Sequence, residues 1–308
     1  MVVWDPPIRD YQFLYHELLP AIETVQRLGY TDFDADFLDS LIEGWATHCE
    51  EVWLPINLVG DRKGLKFEDG KITMPQEFKD AYRQGIDEGW LSTTCELEHG
   101  GMGVPLFFQA VTWAEFGTSA CMALSVLPAL SIGVYEVLVK HGRQDLIDYF
   151  ATNLASGEWS GTMCLTEPHA GTDLGIIETK AIPQDDGTYR LSGSKCFITY
   201  GEHDMAENIV HLVLAKASGG PEGTRGISLF LVPKFLSEDW QSGGLEGISH
   251  SLASEHNGVT CSGTEEKMGL HASPTCVMNL DDSVGWLVGP LHGGMPLMFE
   301  MMNRERLA

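Results

Sequence analysis

The chain has 308 residues, 44% of them hydrophobic, and a formal net charge of −25 at pH 7. That apolar share supplies a real core for one large domain or two smaller ones and excludes a disordered chain. The acidity argues against a nucleic-acid binder, which needs a basic footprint, and against docking on anionic membranes. It suits a chain that handles small molecules or meets a protein partner.

The first half reads as helical. MVVWDPPIRD at the start has neither the basic region nor the apolar run of a signal peptide. Leu14, Leu18, Ile22 and Val25 recur at helical spacing, as do Leu38, Leu41, Trp45, Cys49 and Trp53. Asp34 or Asp36 is placed to cap the second helix and Pro55 to end it. Residues 60–73 read as a loop with a turn at Glu68-Asp69-Gly70, and Pro75 opens a helix to about Glu88. EHGGMGVP (98–105) breaks the pattern, and helices are expected over 106–118, about 121–140 and 143–155. Residues 120–139 are long enough to span a membrane, but Pro128, Gly133, several Ser and Glu136 make a buried central helix the better reading.

The pattern changes near residue 158. Residues 188–200, 209–217 and 226–235 read as strands, rich in apolar and β-branched residues between turn-rich flanks. Residues 248–261 and 275–280 are weaker strands, and the helical pattern returns from Gly293. Helices followed by strands predict segregated regions rather than βαβ repeats. The expected fold class is α+β. An all-α region (1–157) precedes a β-barrel or sandwich-like region (158–290), and residues 291–308 begin a further helical region. FEMMNRERLA carries helix formers to its last residue, so the chain is expected to be cut inside a helix.

Few chemical motifs survive inspection. The seven cysteines are an odd, widely spaced set without C-x-x-C, which fits a reducing, cytoplasmic setting better than a disulfide framework. The spacings of His203/His211 and His250/His256 match no zinc pattern, so no metal is expected. Ser192-Gly193-Ser194-Lys195 matches S-x-x-K but is expected in a hairpin turn between two strands. No Walker A, G-x-G-x-x-G or G-x-S-x-G occurs. MCLTEPHAGTDLG (163–175) is different. Pro168 biases Glu167 to an extended shape, and Gly171 and Gly175 permit unusual angles. Such a loop can present N–H and hydroxyl donors to a planar polar ligand, or be a structural turn.

That stretch resembles the T-E-P-x-A-G-[ST]-D signature of acyl-CoA dehydrogenases. KCFITYGEHD (195–204) resembles the family's W-I-[ST]-N-G flavin segment, EEKMGLHASPTC (265–276) its K-M-G-x-x-x-S-x-T segment, and MMNRERLA (301–308) the start of its C-terminal helical domain. The four follow the family's order and spacing. PIRDYQFLYHELL and GEHDMAENIVHLVLA resemble the methylthiopropionyl-CoA dehydrogenase branch in particular.

The resemblance implies FAD as cofactor, an acyl-CoA substrate, electron-transfer flavoprotein as acceptor and a homodimer or tetramer. Met163, Leu165 and Thr166 would contact the isoalloxazine, and Phe197, Ile198 and Thr199 would form a second flavin wall. Phe197 stands in place of the commoner Trp and Tyr200 in place of the common Asn. Thr172, Asn303 and Arg306 would lie near the CoA portion. Leu165 and Ile198 also read as plain core residues, and Thr166 and Thr199 as plain turn or strand residues. The family's reaction removes an α-proton and a β-hydride, and its carboxylate base lies in the C-terminal domain, beyond Ala308. Glu167 and Glu305 match no base position. Two alternatives stay open: a non-catalytic flavin- or CoA-binding remnant, and a relative of the DNA-damage-associated flavoproteins, whose expected basic surface the net charge opposes.

Overall fold

The computed structural model describes residues 4–108, 112–237 and 253–307. The helical region opens with α1 (Ile8–Gln12), prolonged by a wider turn over Phe13–Leu18, and α2 (Ala21–Arg27). The expected periodicity across 14–25 is interrupted here. Leu19 precedes Pro20 and is extended (φ −109°, ψ 137°), as a pre-proline residue prefers. In α3 (Ala35–His48) Asp34 is the cap, accepting the Phe37 N–H at 2.8 Å, while Asp36 lies in the first turn. Pro55 does not end the helix. It sits in the first turn of α4 (Leu54–Lys63), directly after a wide turn at Cys49–Trp53 through which the helical path continues.

β1 (Lys66–Glu68) and β2 (Lys71–Thr73) form the small hairpin, turned by Asp69 and Gly70 at φ 49° and 77°. α5 (Gln76–Asp87) follows Pro75 as expected. A single turn, α6 (Leu106–Phe108), precedes α7 (Ala114–His141) and α8 (Gln144–Ser156). The break expected before residue 121 is a kink inside α7, where Cys121 has φ −154° and ψ 85°. α7 is apolar and long enough to cross a membrane, yet 72% of its most apolar window is buried in the protein, so it acts as the core helix. It packs against the next strand with no room to spare: a Cβ on Gly161 would lie 2.6 Å from Val134 Cγ2.

The β-region comprises β3 (Trp159–Cys164), β4 (Lys180–Pro183), β5 (Tyr189–Thr199), β6 (Asn208–Ala217), β7 (Ile227–Pro233), β8 (Phe235–Ser237), β9 (Ala253–His256), β10 (Val259–Thr264) and β11 (Thr275–Val288). Residues 248–252 of an expected strand lie outside the described residues. β11–β5–β4–β6–β7 close into a ring, because β7 pairs with both β6 and β11; β10 and β3 extend it. β6 and β7 are buried along almost all their length, which explains their unbroken apolar runs. The turn expected at Ser192–Lys195 is absent: these residues lie within β5, whose eleven residues pair with β11 and β4. β4 escaped the sequence reading because it has four residues, three of them exposed, and ends in proline. The chain thus has the α+β class expected, helices first and a closed sheet after, followed by α9 (Gly294–Leu307). α9 packs on α7 where Gly133 leaves space; a Cβ there would meet Met301 Cγ at 2.9 Å.

Candidate functional site

The two stretches singled out from sequence meet in space. β3 ends at Cys164, and the following loop returns to β5 through Cys196 N–H, which donates to Thr166 O at 2.9 Å. On β5 the register slips: Lys195 faces Met278 and Ile198 faces Cys276, so the strand carries an extra residue there. Phe197 is in this bulge with φ 59°, a left-handed angle that a bulky side chain rarely adopts. Phe197 is 61% exposed, between the buried Cys196 and Ile198. Strain of this kind persists only where surrounding structure imposes it. Here the bulge turns Phe197 outward while Ile198 stays 2% exposed in the core.

Met163, Thr166 and Thr199 are half-buried, and Leu165 and Ile198 are buried core residues. Any role for Leu165 and Ile198 in a ligand wall therefore passes through their backbone. Tyr200, at φ 54°, is fully buried and its hydroxyl donates to Ala123 O of α7 at 2.6 Å, so the departure from the family's Asn is bonded across the two regions.

Beneath this surface lies a buried ion pair that sequence reading missed. Lys195 Nζ donates to Glu167 Oε1 at 2.8 Å and to Leu165 O at 3.0 Å. Glu167 also accepts from Glu178 N–H, Thr179 N–H and Thr179 Oγ1 at 2.6, 3.1 and 2.5 Å. Burial alone would raise the Glu167 carboxyl, but Lys195 and these donors hold it below the usual range. Glu167 is thus a fully bonded structural acid.

Glu305 has a different setting. It lines a mainly apolar cavity of ≈140 Å³ with Leu106, Trp113, Met122, Ser125 and Ala129. Its Oε1 is buried and has no hydrogen-bond partner among the described residues, whereas the neighbouring Arg304 pairs with Glu136 of α7. Burial pushes the Glu305 carboxyl up to about 7. A carboxyl raised in the folded state favours folding at low pH and loses that contribution as pH rises from about 4.5 to 7. Glu305→Gln, which copies the protonated form, is therefore expected to raise stability at pH 8 by ~1–3 kcal/mol and to leave it unchanged at pH 4. Urea titrations at the two pH values check this; an equal effect at both would refute it.

The expected CoA-side residues lie on two separate segments, the loop after β3 and α9. Asn303 and Arg306 are exposed on α9 and bonded to each other, Arg306 Nη1 donating to Asn303 Oδ1 at 3.0 Å. Thr172 is exposed on the loop after β3, and no hydrogen bond links it to them among the described residues. His203 and His211 are buried in the barrel. His203 Nε2 is 2.9 Å from Ser160 Oγ and His211 Nδ1 is 2.7 Å from Thr162 Oγ1, and burial beside Lys234 lowers both to about 3.

Comparison with known proteins identifies the family. The family model "Acyl-CoA dehydrogenase, N-terminal domain" matches residues 66–158 and "Acyl-CoA dehydrogenase, middle domain" residues 162–283. A helical region joined to a closed β-domain of this kind defines the acyl-CoA dehydrogenase fold, and the chain belongs to that family. Over its whole length it is 40% identical to a 3-methylmercaptopropionyl-CoA dehydrogenase of Ruegeria pomeroyi, covering 50% of that protein. A butyryl-CoA dehydrogenase of Syntrophomonas wolfei is 35% identical over 97% of this chain and 49% of its own. The chain therefore spans about half the length of these relatives. An acyl-CoA dehydrogenase from Geobacillus kaustophilus superposes with a TM-score of 0.69 at 22% identity, over 89% of this chain and 63% of that one. One complexed with FAD from Bacillus anthracis gives 0.68 at 23%, over 89% and 41%.

Proposed function

We propose that this chain takes part in FAD-dependent α,β-dehydrogenation of an acyl-CoA thioester. The observation that carries the reading is the joint between the loop after β3 and the β5 bulge. It sets an exposed aromatic ring at an enforced left-handed angle beside the half-buried hydroxyls of Thr166 and Thr199. Exposing a phenyl ring to water and straining its backbone is unfavourable unless a planar apolar ligand covers it. FAD fits such a surface and, when bound, supplies the hydride acceptor. The chain's own residues orient the ring: Phe197 covers one part, and Thr166 and Thr199 offer hydrogen bonds at its polar edges.

Acyl substrate enters this proposal through the cavity beside α7 and α9, whose mainly apolar lining suits an alkyl chain. Asn303 and Arg306 offer polar contacts for the CoA portion. A methylthio-substituted short acyl group as substrate, electron-transfer flavoprotein as acceptor, a homo-oligomeric assembly and a cytoplasmic setting belong to the same proposal; they rest on the family resemblance.

Thr166→Val and Phe197→Ala are expected to lower FAD retention about tenfold each, the size of one good hydrogen bond or ring contact. Flavin absorbance per protein after gel filtration measures this. A parent chain that retains FAD while both variants retain as much would defeat the assignment.

A further inference from the structure

The buried Glu167–Lys195 pair is not explained by stability. Side-chain exposures of 2% and 1% make both charges expensive to desolvate, and a buried pair commonly does no better than neutral side chains of similar volume. Glu167 would be satisfied by Glu178, Thr179 N–H and Thr179 Oγ1 without a lysine. What Lys195 adds is its second bond, to the Leu165 carbonyl at 3.0 Å. That carbonyl shares its peptide group with the Thr166 N–H, which donates to no protein acceptor among the described residues. An ammonium on the oxygen of a peptide group draws electron density from its nitrogen and strengthens the N–H as a donor, the cooperative effect of linked hydrogen bonds.

We propose that Lys195 is a positioning residue for the flavin wall. Glu167 fixes its ammonium on Leu165 O, and the Thr166 N–H is thereby made a stronger donor toward a flavin edge that gains negative charge on reduction. Glu167 is the anchor: it holds the loop to β5 and keeps the ammonium from turning away. Thr166 and Phe197 are then ordered by the same pair, since Lys195 lies two residues before Phe197 and Glu167 one residue after Thr166. This rests on the flavin reading above.

The test uses the full chain and the double variant Glu167→Gln/Lys195→Met, which removes both charges together and so avoids stranding one of them. Lys195→Arg, which keeps charge and donors, is the conservative control. The first measurement needs no flavin: the Thr166 amide proton in a ¹H–¹⁵N spectrum is expected to move upfield in the double variant and to return toward the parent position in Lys195→Arg. The second is FAD titration in oxidised and reduced forms. Affinity is expected to fall about tenfold in the double variant for reduced FAD, the size of one charge-assisted hydrogen bond, and clearly less for oxidised FAD. A Thr166 amide that does not move overturns the proposal, and so does an equal loss for the two redox forms. If the parent chain binds no FAD, the flavin reading falls while the amide shift still decides whether Lys195 polarises the peptide.

Discussion

Between pH 6.5 and 4.5 the buried histidines His203 and His211, offset in part by Glu305, are expected to contribute a loss of stability of ~1.4 kcal/mol per pH unit, and below 4.5 roughly twice that. The cause is the histidine pair under β3. His203 Nδ1 accepts the Met205 N–H at 3.1 Å, so Nε2 carries the proton toward Ser160 Oγ and the ring is neutral. Burial is the larger influence and the Lys234 ammonium the next, and together they hold His203 and His211 at about 3. An unfolded histidine takes a proton near 6.5, so below that pH the unfolded chain binds two protons that the folded one refuses. Their contribution is complete above pH 6.5 and is lost as pH falls toward 3.

Glu305 acts in the opposite sense, because its carboxyl at about 7 takes up a proton in the folded chain before the unfolded one does. It offsets one histidine between about 7 and 4.5 and nothing below. Urea midpoints at pH 7, 6, 5 and 4 give the slope directly. His203→Gln is expected to flatten it by ~1.4 kcal/mol per pH unit. A His203→Gln slope equal to that of the parent would show that the ring charges without penalty.

Replacing Tyr200 by Asn, as in the W-I-[ST]-N-G segment that KCFITYGEHD resembles, is expected to destabilise the chain by ~3–5 kcal/mol. Asn is easier than Tyr at the left-handed φ of 54°, which returns ~1 kcal/mol. That gain is too small. The substitution empties a fully buried aromatic site, removes the edge contact with His203 at 5.5 Å, and takes away the hydroxyl's bond to the Ala123 carbonyl. This carbonyl lies just past the Cys121 kink, where α7 has already lost helical geometry. Tyr200→Phe keeps the volume and loses only the hydroxyl, with an expected loss of ~1–2 kcal/mol. Equilibrium unfolding of the two variants separates packing from hydrogen bonding. If Tyr200→Asn lost no more than Tyr200→Phe, the ring would not be the joint between the helical and β-regions.

Features governed by neighbours in the chain were legible in the sequence. Asp34 caps α3, Pro75 opens α5, Asp69-Gly70 turns the first hairpin, and the apolar runs of β6 and β7 are strands. TEPHAGTD and KCFITY could be picked out as one site because each is a contiguous stretch. The errors came where a local rule met a tertiary demand. Pro55 looked like a stop but fits the first turn of a helix that the core continues. Ser192–Lys195 looked like a turn but is strand, because β11 runs for fourteen residues and pairs alongside it.

The sequence by itself therefore determined the helices-then-strands order of the two regions, the α+β class, the kinship with acyl-CoA dehydrogenases and the stretches that form the candidate site. Only the tertiary structure decided that Lys195 is locked to Glu167, that Phe197 faces out while Ile198 faces in, and that Glu305 lines a mainly apolar cavity. The physical reason is one of distance. Capping, turns and periodicity act over a few residues, while a buried charge takes its partner, and so its protonation, from segments tens of residues away.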